Sequence, residues 1–244
     1  MNNEKIYFAS DFHLGSPNIK ESRKREKLII HWLNDIKKDA KAIYLLGDIF
    51  DFWFEYKKVV PKGYIRFLSK LAELVESGTD IHFFVGNHDL WAKDYLEVEL
   101  GINIHHHQKI IEEQNKKLLV AHGDGLGKGD YTYKFIKKIF KSKICQWFFS
   151  QLHPNFAFSI AQNLSKKSRK KVNKPFLSKE KEVLFNYCKN LQKKNSIDYY
   201  VMGHRHFPLE IKIDDQAKYI NLGEWIHYNT YAVLENGIIK LNTY

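Results

Sequence analysis

Five short apolar segments of this chain each run into polar side chains of the kinds that bind metal ions. The clearest is Ile43-Tyr44-Leu45-Leu46, which is followed by Gly47 and Asp48. A short apolar run closed by glycine predicts a buried parallel strand, and ligands bind beyond the carboxyl ends of such strands. This pattern predicts an α/β fold in which five strand ends meet at one rim. The other four segments run into Asp11-Phe12-His13, Gly86-Asn87-His88-Asp89, His122-Gly123-Asp124 and Gly203-His204-Arg205-His206.

The candidate ligands at this rim are carboxylate, amide and imidazole groups, with no thiolate. Zinc in a closed structural site usually recruits Cys, and calcium prefers oxygen ligands. A mixed set suits divalent Mn, Fe, Zn or Co, with Mn as our first choice, and seven donors are too many for one ion. If Asp48 bridges two ions, each ion has four protein ligands and keeps positions for water and phosphate. The seven candidates are Asp11, His13, Asp48, Asn87, His122, His204 and His206.

The length of 244 residues suits one α/β domain, with or without a large insertion. No run of roughly 18 apolar residues is present, so we expect no transmembrane helix. A strand that begins near Ile6 leaves no signal peptide before it. We therefore expect Cys145 and Cys188 to be reduced thiols of a cytoplasmic protein, without a catalytic role.

Positive charge is concentrated in one part of the chain. The net charge is +11, but residues 126–194 hold 17 Lys and Arg against three acids, which leaves about −3 for the rest. The same part has aromatic residues at helical spacing, and it is longer than a crossover between strands requires. We predict a core of residues 1–125 and 198–244 and a basic, aromatic-rich helical lid insertion of residues 126–197. The alternative is an ordinary helical subdomain with its own aromatic core and solvated Lys residues.

Hydrophobic spacing also predicts helices over Glu21–Lys38 and Pro61–Glu76. The aromatic run from Phe50 to Phe54 is either a corner of the core or a wall of the active cleft, and we give the two interpretations equal weight. The run His105-His106-His107 is interpreted as structural or surface. Strands are predicted at Ile6–Ala9, Ile43–Leu46, Ile81–Val85, Lys117–Ala121, Tyr199–Met202, Tyr219–Leu222, Ala232–Leu234 and Ile238–Leu241.

Taken in order, the five motifs resemble those of the calcineurin-like metallophosphoesterases. The resemblance covers the chain outside the insert. It implies a β-sandwich flanked by helices (α/β/β/α), here with a helical lid insertion. It also implies that Asp48 is shared between two metals, one held with Asp11, His13 and His206 and the other with Asn87, His122 and His204.

A closer resemblance is to the UDP-2,3-diacylglucosamine pyrophosphohydrolases of lipid A synthesis, which release UMP and 2,3-diacylglucosamine 1-phosphate. It implies a nucleotide-linked glycolipid substrate whose acyl chains lie under the lid. The implied substrate contacts are Asn87, His88, Asp130, Tyr133 and His204. The resemblance rests on Ser10–Gly15, Phe50–Trp53, Asp130 with Tyr133, and Leu222–Trp225.

His88 and Asp51 are the candidate catalytic residues. A water between two dications loses its proton readily and can attack phosphorus in line. His88 would neutralise charge on the phosphoryl oxygens and help to protonate the leaving group, with its imidazole polarised by Asp51. Two positions depart from the commoner form of the resembled enzyme, which has Arg in place of His88 and Thr in place of Arg205.

The basic, aromatic insert leads us to expect an anionic membrane as partner, with the protein peripheral on the inner membrane. Lys166, Lys167, Lys170 and Lys171 are expected to face the head groups. A nuclease or nucleotide phosphatase is the first alternative, although no nucleic-acid partner is expected, and its binding would weaken steeply with salt. A metal-stabilised scaffold without activity is the second, and the complete ligand set argues against it. The sequence leaves the oligomeric state open.

Overall fold

The computed structural model describes residues 4–129, 131–172 and 176–244, without the side chains of residues 167 and 169–172. Eleven strands form two sheets, with strand orders β11-β10-β1-β2-β3-β4 and β5-β6-β7-β9-β8. The strands are β1 (Lys5–Ala9), β2 (Ala40–Leu46), β3 (Asp80–Phe84), β4 (Asn103–His105), β5 (Lys109–Glu113), β6 (Lys116–Ala121), β7 (Tyr199–Met202), β8 (Pro208–Lys212), β9 (Lys218–Leu222), β10 (Thr230–Glu235) and β11 (Ile238–Thr243).

The described helices lie on the outer faces of the two sheets or above the rim where the strands end. They are α1 (Ile19–Ile36), α2 (Ile65–Glu76), α3 (Tyr95–Leu100), α4 (Tyr131–Phe140), α5 (Lys143–Ser150), α6 (Pro154–Val172) and α7 (Val183–Gln192), with a short 3-10 helix at Lys179–Lys181. No described helix is both long enough and apolar enough to cross a membrane.

Three apolar layers hold the sheets and helices together. One layer lies between the sheets and joins residues such as Phe8 and Leu46 to Val120 and Val201. The second packs α1 and α2 on the first sheet, and the third packs α7 on the second sheet. The layers therefore follow the order helix, sheet, sheet, helix, and this order confirms the predicted fold class.

The helical spacing in α1 predicts which of its residues face the sheet. The Asn18 side chain accepts a hydrogen bond from the Glu21 backbone N–H and caps the helix one residue before it begins. The predicted start of α2 at Pro61 was four residues early, because Gly63 and Tyr64 have left-handed backbones with φ of 109° and 58°. The buried residues of α1 recur every three or four positions, at Ser22, Arg25, Glu26, Ile29, Trp32, Leu33 and Ile36.

The predicted insert contains a core helix as well as a lid. In α7, Leu184, Phe185 and Cys188 are buried against the second sheet, where Phe185 meets Tyr219 edge to face. This helix connects the parallel strands β6 and β7, and such a connection normally packs back on its own sheet. From here on, "the lid" means α4 to α6.

The aromatic residues of the lid do not form a core of their own. No residue of α4 or α5 is buried, and Phe135, Trp147 and Phe148 are each more than half exposed. The described part of α6 buries only Ala157, Ala161 and Ser165. The alternative of an ordinary helical subdomain therefore does not fit α4 and α5.

Two matched substitutions test the division between core and lid. Phe185→Ala should lower the free energy of unfolding by about 3–5 kcal/mol, because it leaves a cavity against the second sheet. Phe135→Ala removes the same atoms from a side chain that is 65% exposed and should cost less than about 0.5 kcal/mol. Urea unfolding measures both values. Equal losses would contradict the assignment of α7 to the core.

Candidate functional site

Four of the predicted ligands form a buried cluster where the strands of the two sheets end. Asp11 and His13 follow β1, Asp48 follows β2, and His206 follows β7. His206 Nε2 lies 3.1 Å from Asp11 Oδ1 and 3.0 Å from His13 Nε2. His13 Nε2 is 3.8 Å from Asp11 Oδ1 and 4.0 Å from Asp48 Oδ2. The four side chains thus point their donor atoms at one small volume.

A second cluster shares Asp48 with the first. His122 Nε2 lies 3.3 Å from Asp48 Oδ2 and 3.2 Å from Asn87 Oδ1. His204 completes the group, with its ring centroid 5.1 Å from that of His122. His122 Nδ1 donates to the Leu46 carbonyl oxygen at 2.8 Å, which directs Nε2 toward Asp48. Asp48 is therefore the one carboxylate common to both groups.

The two clusters fit a pair of divalent ions. Asp11 Oδ1, Asp48 Oδ2 and His204 Nδ1 are buried and make no hydrogen bond to the described residues. A buried polar atom without a partner costs about 1–3 kcal/mol, and a bound cation would satisfy all three. Carboxylate and imidazole donors suit Mn, Fe, Zn or Co and do not select one of them.

The charges of the protein groups also favour a cation at Asp48. Burial opposes its ionisation, but His122, His88 and His13 hold the pKa of Asp48 well below its usual range. Burial lowers the pKa of His122, yet Asp48 raises it to about 10. Burial and the neighbouring His122 lower the pKa of His204 to about 4. Since a metal ligand must be a neutral imidazole, binding a metal would displace the proton that the charge of Asp48 favours on His122.

The loops that carry the ligands have unusual backbones. Asp11, His13, Asp48, His204 and His206 all have left-handed φ between 44° and 68°. Such residues cost of order 1–3 kcal/mol each and collect at functional sites. Glycines allow the loops to touch, because a Cβ on Gly86 would overlap Asp48 Oδ1.

Two residues without a predicted role hold these loops. The buried Asp89 carboxylate accepts hydrogen bonds from the backbone N–H groups of Gly86 at 2.7 Å and Ile49 at 2.8 Å. Arg25 of α1 donates to the carbonyl oxygens of Phe12 at 2.6 Å and His13 at 2.7 Å. A charged residue on the apolar face of α1 was the signal in the sequence that could have identified Arg25.

The His88 imidazole is held from two sides. Its Nδ1 lies 3.0 Å from the Asp51 carbonyl oxygen and 3.0 Å from Ser165 Oγ of α6. The Asp51 carboxylate is 3.8 Å from this nitrogen and lies closer to His13 Nδ1, at 3.5 Å. His88 therefore contacts both the backbone oxygen of Asp51, at 3.0 Å, and its carboxylate, at 3.8 Å. Ser165 had no role in the prediction.

The predicted substrate contact Tyr133 reaches the core next to the second cluster. Its hydroxyl donates to the buried Asp124 carboxylate, two residues after His122. Lys137 Nζ also contacts this carboxylate, at 2.5 Å. Asp130 lies outside the described residues. Of the other predicted substrate contacts, Asn87 and His88 line the same cavity as Tyr133. His204 belongs to the second ligand cluster.

A family profile described as calcineurin-like phosphoesterase matches residues 4–208. The chain belongs to this family. It is 37% identical to a UDP-2,3-diacylglucosamine hydrolase from Porphyromonas gingivalis, over 98% of this chain and 97% of the relative. A protein of the same name from Actinobacillus succinogenes is 28% identical, over 95% of each chain. A dimetal phosphatase from Danio rerio has a TM-score of 0.48 and 13% identity, covering 96% of this chain and 92% of that one.

As a calcineurin-like phosphoesterase, the protein is a hydrolase, which confirms the predicted enzyme class. Arg205, which stands where the commoner form of the resembled enzyme has Thr, makes an ion pair that explains its presence. Arg205 Nε and Nη2 each donate at 3.0 Å to the carboxylate of the buried Glu182, which directly precedes α7. This bidentate ion pair fastens the loop between His204 and His206 to the core helix.

An apolar cavity of about 620 Å³ lies between this phosphoesterase rim and the lid. Asn87 and His88 line it together with Phe52, so the aromatic run after Asp48 contributes to the cleft as well as to the core. Phe50 and Trp53 are fully buried. From the lid, the cavity is lined by Ile136, Ile139, Phe140, Phe149, Ile160, Ala161 and Leu164.

The shared position of Asp48 predicts how metal binding responds to substitution. Asp48→Asn removes the charge common to both clusters, so metal content should fall from two ions per chain to one or fewer. Glu55→Gln is the matched control, since it changes a buried carboxylate that belongs to neither ligand cluster, and it should retain two ions. Elemental analysis after desalting measures both. Full metal content in Asp48→Asn would reject the shared ligand.

Proposed function

We propose that the protein hydrolyses the diphosphate of UDP-2,3-diacylglucosamine to UMP and 2,3-diacylglucosamine 1-phosphate. One observation carries the proposal: the apolar cavity beneath the lid opens on Asn87 and His88, next to the metal-ligand clusters. A substrate with both a diphosphate and acyl chains matches this combination. The name of the relative from Porphyromonas gingivalis, which aligns over nearly the whole chain, supports the same substrate.

The cavity lining favours a lipid over a nucleic acid. Most of its side chains are aliphatic or aromatic, and Lys137 is its single Lys or Arg among the described residues. Each CH₂ group moved from water into such a cavity contributes about 0.8 kcal/mol, so one acyl chain gives a large gain. A nuclease would instead place several cations along the path of a phosphate backbone. Cleavage of nucleic acid is therefore the less favoured function.

Two divalent ions, with Mn as our first choice, would supply the Lewis acid and the activated water of the reaction. In hydrolysis a water oxygen would bond to phosphorus and the bond from that phosphorus to the bridging oxygen would break. The water would give up one proton, and the departing phosphate oxygen would take one up. Asp11, His13, Asp48 and His206 would hold one ion, and Asp48, Asn87, His122 and His204 the other.

His88 is the residue that we assign to the phosphoryl group. Its backbone N–H donates to Asp48 Oδ1 at 2.8 Å, which ties its position to the shared ligand. The carbonyl oxygen of Asp51 and the hydroxyl of Ser165 hold Nδ1, so Nε2 is directed toward Asp48 Oδ2, 3.9 Å away. From there His88 can bind an equatorial oxygen in the transition state and donate a proton to the leaving group.

A substitution that fills the cavity tests the proposed substrate. Mn-loaded protein should release UMP from detergent-dispersed UDP-2,3-diacylglucosamine and should leave single-stranded DNA intact. Ala161→Trp places a large ring in the cavity and should lower kcat/KM for the lipid by about 100-fold or more, because the acyl chain loses its space. Turnover of bis(p-nitrophenyl) phosphate should change less than about threefold.

Gln162→Trp is the matched control, since it adds the same ring at an exposed position one residue along α6. It should keep the activity on the lipid. Equal losses on lipid and diester in Ala161→Trp would contradict acyl binding in this cavity. Efficient cleavage of DNA by the unmodified protein would favour the nuclease instead.

We also propose that the lid meets an anionic membrane, which would make the protein peripheral on the inner membrane. In α5, Ile144, Trp147 and Phe148 are 71%, 58% and 63% exposed. Trp147 shares an open cleft with Lys57, Lys58 and Lys143. Large apolar side chains beside lysines suit the boundary between head groups and acyl chains. Of the four Lys residues predicted from the sequence to face the head groups, Lys166 alone has a described side chain, and it is exposed.

Vesicle sedimentation tests the membrane face. Replacing Ile144 and Trp147 together by Ala should weaken binding to phosphatidylglycerol vesicles about tenfold or more, because two inserted side chains are lost. Ile238→Ala removes an apolar side chain that is 56% exposed on β11 and should leave binding unchanged. Binding that is insensitive to the α5 substitutions, or equal on vesicles without anionic lipid, would contradict this orientation.

A further inference from the structure

Lys137 of α4 lies where the apolar cavity meets the second ligand cluster. It lines the cavity with Asn87 and His88, so it borders the space in which the phosphates of the substrate must lie. Its Nζ is 2.5 Å from Asp124 Oδ2 and 3.1 Å from the Asp124 carbonyl oxygen. Its side chain is 22% exposed. One cation thus stands at the polar end of a cavity whose other walls are mainly apolar.

The partner of Lys137 belongs to the surroundings of the metal site. Asp124 is buried and follows His122 by two residues. Asp124 also accepts a hydrogen bond from the Tyr133 hydroxyl. Its carboxylate would therefore keep a donor if the ammonium group of Lys137 moved away.

We propose that Lys137 is a further substrate-binding residue, which exchanges its ion pair with Asp124 for a phosphoryl oxygen of the diphosphate. The proposal rests on the proposed function, because it requires a substrate with two adjacent phosphates. A diphosphate diester carries two negative charges, and an unpaired charge at an apolar wall is costly. Two ions held by the predicted ligands would neutralise one phosphate, so the other would need a different cation.

The side chain type suits this exchange. A lysine ammonium is a compact charge on a flexible stem, so it can move from one oxygen acceptor to another without the fixed fork geometry of arginine. A hydrogen bond between ions is worth about 10- to 100-fold in affinity. A substrate with a single phosphodiester lacks the second phosphate and should gain much less from Lys137.

The role of Lys137 is tested by comparing Lys137→Ala, Lys137→Arg and Asp124→Asn in the full-length, Mn-loaded protein. Lys138→Ala is the control. Lys138 is the exposed neighbour of Lys137 on α4. Calorimetry measures UDP binding, and metal content is measured in parallel. Rates are measured on UDP-2,3-diacylglucosamine and on bis(p-nitrophenyl) phosphate.

Lys137→Ala should weaken UDP binding and lower kcat/KM for the lipid by about 10- to 100-fold, with full metal content and less than about threefold change on the diester. Lys137→Arg should restore most of the loss, and Lys138→Ala should match the unmodified protein. Asp124→Asn keeps an acceptor for Tyr133 and releases Lys137, so UDP should bind at least as tightly as before.

A role limited to fastening α4 to the core predicts a different set of results. Lys137→Ala would then leave UDP binding unchanged, and Asp124→Asn and Lys137→Ala would impair lipid hydrolysis to the same extent. Either result overturns the proposal. If the unmodified protein fails to hydrolyse the lipid while Lys137→Ala still weakens UDP binding, the proposed function is wrong and the role of Lys137 stands.

Discussion

A buried carboxylate, Asp48, sets the conditions for the rest of the site. It is 1% exposed and lies within 4 Å of imidazole nitrogens from His13, His88 and His122, which come from three different loops. A buried negative charge is tolerated only when positive charge surrounds it. Strand ends of both sheets must therefore meet at this point. The left-handed backbones and the overlap that forbids a side chain at Gly86 follow from that crowding.

The lid is connected to this centre through polar contacts and not only through apolar packing. Ser165 of α6 lies against the His88 imidazole, and Tyr133 and Lys137 of α4 both reach the Asp124 carboxylate. His88 directly follows the predicted metal ligand Asn87, and Asp124 follows the predicted ligand His122 by two residues. The lid thus contacts residues next to both ligands. A substrate that positions the lid from inside the cavity would thereby also position His88. This coupling would let one segment take part both in the proposed acyl binding and in the positioning of His88.

The sequence predicted the parts of the structure that depend on local pattern. Apolar runs closed by polar residues located the five strands that carry the ligands, and the spacing in α1 identified its buried face. Contacts between distant segments were not predicted. The hydrogen bonds of Arg25 to the loop after β1 and of Asp89 to the loop after β2 require the folded arrangement of α1, β2 and β3. The sequence did not separate α7 from the lid, because basic residues flank α7 on both sides and continue the charge pattern of the lid past it.

The pairing of His88 with Asp51 shows why residue spacing alone gives incomplete chemistry. Both residues were expected to interact through the carboxylate, and the shorter of their two contacts uses a carbonyl oxygen, which every residue type carries. A neutral carbonyl oxygen fixes the orientation of the imidazole without adding a full negative charge beside it. The Asp51 carboxylate lies instead beside His13, a ligand of the first cluster. The side chain at position 51 therefore acts on the predicted metal site, while its backbone acts on the predicted acid, and only the backbone contact tolerates substitution.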